Sequence, residues 1–139
     1  MKGKFFILFF IVLLMTVMAL VACTPSVPLP DLVPANPPGM PGYCNVDDSN
    51  NLIVYVKNQG EADAPVSWVK VQFSLTAGVQ DFSSAIVAIP AGETKSVSFA
   101  IPSGCFNSDC NFIITVDSTE NIVESDELNN AVVNGICIG

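Results

Sequence analysis

"SWVKVQFSL", residues 67–75, alternates. Val69, Val71, Phe73 and Leu75 fall on one side of an extended chain, and Lys70, Gln72 and Ser74 fall on the other. Side chains of a strand point alternately to its two faces, so a period of two predicts one buried face and one wet face. A helix would instead repeat its apolar residues every three or four positions. The same reading extends outward. Upstream, "NLIVYVKN" (51–58) is rich in β-branched and aromatic residues and stops at "NQGEADAP" (58–65). Downstream, "TKSVSFAI" (94–101) turns Val97, Phe99 and Ile101 inward, and "NFIITVD" (111–117) does the same with Phe112, Ile114 and Val116. "NNAVVNGICI" (129–138) is a last apolar run, and no stretch after Gly42 holds a helical period. Short alternating segments separated by turn residues predict an all-β sandwich.

The other end of the chain reads as targeting. Lys2 and Lys4 precede "FFILFFIVLLMTVMALVA" (5–22), which carries no charge. A short basic head followed by an apolar stretch is the pattern of a secretory signal. A permanent membrane helix is the competing reading, since about 20 apolar residues span a bilayer. The basic head, the small residues at the end of the stretch and the cysteine that follows at once favour the signal. "LVAC" (20–23) resembles the lipobox of bacterial lipoproteins. That resemblance implies a diacylglycerol on the Cys23 thiol and cleavage just before it. The expected organisation is a signal peptide over 1–22 and a lipidated cysteine with a proline-rich linker over 23–42. A β-sandwich domain follows over 43–139. The linker, "TPSVPLPDLVPANPPGMPG" (24–42), holds seven of the ten prolines, with 31–34 a candidate first strand. Its proline content favours an extended, semi-rigid spacer.

Charge narrows the function classes. The chain has a formal net charge of −8 and no histidine. Loss of the signal leaves Lys57, Lys70 and Lys95 against all 13 acidic residues. Nucleic acid is excluded as a partner, because phosphate binding needs a basic patch. Binding of the protein surface to anionic headgroups is disfavoured for the same reason. Without histidine the usual nucleophilic triads are absent, and a sandwich this small leaves little room for a catalytic cleft, so the chain reads as non-enzymatic. Setting Cys23 aside leaves four cysteines, an even number in an exported chain, which reads as two disulfides. A zinc site lacks its C-x-x-C pairs and histidines.

Three segments carry a second resemblance: V-x-N-x-G-x-A in "VKNQGEA" (56–62), "IPAGET" (89–94), and V-E-S-D-E-x-N-N within "VDSTENIVESDELNNA" (116–131). With "DLVP" (31–34) they resemble the CARDB family, the cell-adhesion-related domain found in bacteria, over about residues 31–137. The resemblance implies an immunoglobulin-like Greek-key sandwich of about seven strands. It also implies a cell-surface module for adhesion, with a surface protein or polysaccharide as partner. The alternative is a small carbohydrate- or calcium-binding envelope lipoprotein. Local chemistry fits the same segments: Asn58 and Gly60 suit left-handed conformations at a tight strand exit, Pro90-Ala91-Gly92 suits a turn, and Asn129 and Asn130 suit backbone capping. Laid on immunoglobulin-like connectivity, Cys44, Cys105, Cys110 and Cys137 fall at one pole. All three pairings are then conceivable, and Cys105–Cys110 with Cys44–Cys137 is the favoured one.

Two features bear on a ligand. The segment 117–130 gathers Asp117, Glu120, Glu124, Asp126, Glu127, Asn129 and Asn130. Calcium takes six to eight such oxygens, so Asp117, Glu124, Asp126, Glu127 and Asn129 are candidate calcium ligands. The EF-hand spacing is absent, and the favoured reading is a solvated, self-capped hairpin with no cofactor. Trp68 points away from the Val69–Phe73 face, where a lone exposed aromatic could stack on a sugar or pack beneath a loop. The location expected is outside the cytoplasm, held to the cell membrane or an outer membrane through Cys23.

Overall fold

The computed structural model describes residues 27–106 and 109–138. Segment 1–22 and Cys23, on which the signal and lipid expectations rest, lie outside the described residues. Among the described residues no helix is long and apolar enough to cross a membrane.

Seven strands make the described fold: β1 (Leu32–Ala35), β2 (Asn51–Asn58), β3 (Ser67–Leu75), β4 (Gly78–Ile86), β5 (Thr94–Ala100), β6 (Cys110–Thr115) and β7 (Ala131–Cys137). They form two antiparallel sheets, β1-β2-β5 and β4-β3-β6-β7. This is the all-β sandwich that the alternation predicts. Val69, Val71 and Phe73 of β3 are wholly buried, and they meet Leu52, Val54 and Val56 of β2 and Phe112 and Ile114 of β6 in one core. Aromatic packing joins the core to the edge strand, with Phe73 edge-on to the partly buried Phe82 of β4 (ring centroids 5.8 Å apart) and tilted against Phe112 (6.2 Å).

The first strand begins inside the stretch read as linker. Pro30 and Pro34 are buried, and Pro34 pairs with Val56. Proline is tolerated because β1 is an edge strand, whose second side has no ladder to supply. The sandwich therefore takes in residues from about Pro30 onward, ahead of the boundary at 43 that the sequence suggests. The turn into β5 is built by Pro90-Ala91-Gly92, with Gly92 at φ +78° and Glu93 N donating to Pro90 O (3.0 Å).

Register fixes two poles. Leu32 pairs with Asn58 and Lys70 with Thr115, so the start of β1, the end of β2, the start of β3 and the end of β6 share one end. The segment 117–130 closes that end, here termed the loop pole. Cys110 pairs with Cys137 at the other end, the disulfide pole. Cys44–Cys137 and Cys105–Cys110 are both bonded there, with Cα–Cα distances of 5.2 and 4.7 Å.

Candidate functional site

The loop pole is organised around side chains that replace a missing ladder. Asn58 is wholly buried at the end of β2. Its Oδ1 accepts from Asp31 N and Gly60 N (3.1 Å each), and its Nδ2 donates to Ala62 O (2.8 Å) and Ile89 O (2.9 Å). One amide thus holds β1, the β2–β3 connection and the approach to β5. Neither Asn58 nor Gly60 is among the residues with positive φ. This corrects the sequence expectation of left-handed conformations at these positions. Gly60 is required instead by close approach: a Cβ there would stand 2.5 Å from Leu29 O and 2.6 Å from Asp31 N.

The 117–130 loop is then latched onto β1. Glu124 is buried, and its carboxylate accepts from Leu32 N through Oε2 and from Asn130 Nδ2 through Oε1 (3.1 Å). Ser125 N donates to Pro30 O (2.9 Å). Asp31, also buried, accepts from Asn129 Nδ2 (2.9 Å), Gln59 Nε2 (3.1 Å) and Ser125 Oγ (3.3 Å). Asn129 and Asn130 therefore bind carboxylates, not the backbone of the turn as the sequence suggested. Their Oδ1 atoms are buried without a hydrogen-bond partner. Burial is the main force on Glu124 and pushes its carboxyl up from 4.5 to about 7. Asp117 and Glu127 add like charge in the same direction, while the bonds from Leu32 and Asn130 oppose it. Asp31 escaped the sequence reading because an isolated aspartate in a proline-rich stretch gives no signal; only its spatial neighbours reveal it.

The other acidic residues are spent differently. Asp117, at φ 40° and buried, accepts from Ser67 Oγ (3.2 Å) and Ile122 N (2.9 Å), which folds the loop back on β3. Asp126 accepts from Leu128 N (3.0 Å) and Glu127 from Glu124 N (2.8 Å), both on the exposed rim. The calcium candidates are thus divided: Glu124 and Asn129 face β1, Asp117 faces β3, and Asp126 and Glu127 lie outside. Among the described residues no group of three or more acidic, histidine or cysteine side chains is arranged to hold a metal ion.

Beside the latch lies a cleft of about 510 Å³, within the range of ~300–1,000 Å³ usual for ligand sites. Val116 and Ile122 form its apolar floor, and Glu120, Val123, Glu127 and Leu128 stand around it. Glu124 does not line it, so the raised carboxyl is not presented to a ligand there. Trp68, 44% exposed, neighbours the cleft, since its carbonyl accepts from Ser118 N (2.9 Å) and Ser118 Oγ (3.2 Å). The exposed Val123 and Leu128 of this loop give no sequence signal, because the acidic residues around them dominate its composition.

The CARDB family model matches residues 29–134. The fold resembles the 272–376 domain of a candidate cell surface protein from Methanosarcina acetivorans, with a TM-score of 0.57 and 19% identity over 79% of this chain and 91% of that one. It is also similar to the CARDB domain of a Pyrococcus furiosus protein, solved in complex with di-metal ions, with a TM-score of 0.48 and 21% identity over 82% of this chain and 96% of that one. None of the curated proteins compared with the chain matches it.

Proposed function

The chain belongs to the CARDB family, and from that membership we propose that it is a non-enzymatic interaction module of the cell surface, tethered by a lipid on Cys23. The observation that carries this reading is the family match over residues 29–134, which takes in nearly the whole described fold. The two disulfides support it, because such bonds persist in oxidising compartments outside the cytoplasm. The resemblance of "LVAC" to a lipobox supports the tether. Acyl chains contribute about 0.8 kcal/mol per buried CH₂, and two or more hold a protein stably on a membrane. The partner in this reading is a protein or polysaccharide outside the cytoplasm, met by the loops and sheet faces of the sandwich.

The test is Cys23→Ser with metabolic labelling by an alkyne fatty acid, followed by cell fractionation. The account expects loss of the label and release of the protein from the membrane fraction. A variant that keeps its label and its membrane association contradicts the tether.

A further inference from the structure

We propose that the cleft at the loop pole is a docking site for a cationic peptide segment of a partner protein, one that pairs lysine or arginine with a bulky apolar side chain. This rests on the reading of the chain as an interaction module and names the chemistry of its partner. Three observations converge on it. The first is shape: a cleft of about 510 Å³ with Val116 and Ile122 beneath it can receive one large apolar side chain. The second is exposure. Leu128 is 96% exposed and Val123 72% exposed, on the rim of that same cleft. Apolar side chains left in water beside a concavity are what an anchor residue would cover.

The third observation is charge. Glu120 and Glu127 are the exposed ionisable groups around the cleft, and no lysine lines it. Lys95 is bound to Glu93 (2.8 Å), and Lys70 lies in register with Thr115 on the sheet beside the mouth. Glu61 and Asp63 are exposed at the same pole and outnumber its exposed Lys57, which sits at the end of β2 opposite Val33 and Thr94. An ammonium or guanidinium group is therefore attracted, and an acidic segment or an anionic lipid surface is repelled. The occupant is thus apolar at its tip and basic beside it.

The experiment uses the full-length chain in non-ionic detergent, labelled with ¹⁵N. It is titrated with three synthetic octapeptides, and a micelle-only control corrects for partitioning. One peptide alternates lysine with leucine and phenylalanine. The second replaces the lysines with glutamate, and the third replaces the apolar residues with serine. The proposal expects the first alone to bind saturably, to shift the amides of Val123, Leu128 and Ala131, and to weaken in high salt. Leu128→Ser and the Glu120→Gln/Glu127→Gln pair should each weaken it on the order of tenfold. Neither change touches the core, and glutamine at 127 keeps the bond from Glu124 N. Equal binding of the glutamate peptide overturns the proposal. So do shifts confined to another face, indifference to both variants, binding that appears only with calcium, and preference for anionic vesicles over the peptide. These results would leave the interaction-module reading standing, since that reading fails on its own fractionation test.

Discussion

Glu124 follows β6 on an outer loop, yet its carboxyl ends inside the fold, between the backbone of Leu32 and the amide of Asn130. A carboxyl held up at about 7 in the folded protein, against 4.5 outside it, keeps its proton longer when folded than when unfolded. Its stabilising contribution is present in full below about pH 4.5 and is lost as the pH rises through about 7. Glu124→Gln keeps the shape and cannot ionise. Thermal melts of both proteins should therefore differ little near pH ~5, and the advantage of the glutamine variant should widen through pH ~7. A gap that stays constant across that range contradicts the account. Self-repulsion among the other acids affects both proteins alike and cancels in the comparison. At this scale the sequence was only partly legible. "VKNQGEA" marks a special strand exit, but turn chemistry and close packing select the same residue types. Only the four bonds of Asn58 and the 2.5 Å approach to Leu29 O at Gly60 decide between them.

Among the strands, the β6–β7 pair shows how tightly register is set. Phe112 faces Gly135 across the ladder, and a Cβ at Gly135 would lie 2.2 Å from the Phe112 ring. That ring is 1% exposed and packed against Phe73, so it has nowhere to retreat. Gly135→Ala should cost about 1–3 kcal/mol by overpacking, and the melting temperature should fall by ~4–8 °C per kcal/mol. Adding Phe112→Leu should recover part of that loss, since the two residues are coupled. A Gly135→Ala protein that melts like the parent contradicts the register. Alternation made β3, β5 and β6 readable, while β-branched and aromatic content marked β2 and an apolar run marked β7. Alternation could not show β4: in "GVQDFSSAI" the exposed face dominates, and the strand exists because all nine of its positions pair with β3 at the sheet edge. The first strand was legible as the candidate at 31–34, one residue off the observed Leu32–Ala35, although its prolines, which only an edge position allows, placed it in the spacer.

For the molecule as a whole, two bridges and one direction matter. Cys105–Cys110 closes a short loop and Cys44–Cys137 a long one, with sequence separations of 5 and 93. By loop-closure entropy they contribute about 2 and about 4–5 kcal/mol, against a net stability of ~5–15 kcal/mol for a typical domain. The chain joins the sandwich at the loop pole, where Pro30 meets Ser125. An extended chain spans at most ~3.3–3.6 Å per residue, so a lipid on Cys23, which precedes Pro30 by seven positions, would hold the loop pole within roughly 25 Å of the membrane. The disulfide pole would then face outward. Fold class was legible because burial leaves a period in the sequence. The cleft was not, because its walls come from residues that no period relates and that meet only in three dimensions. The most direct test of the central claim, a module exposed at the cell surface, is amine labelling with a membrane-impermeant reagent on intact and on lysed cells. Lys57, Lys70 and Lys95 report in mass spectrometry. The account predicts that exposed Lys57 is modified on intact cells as fully as after lysis. Protection of all three lysines until the cells are broken would contradict it.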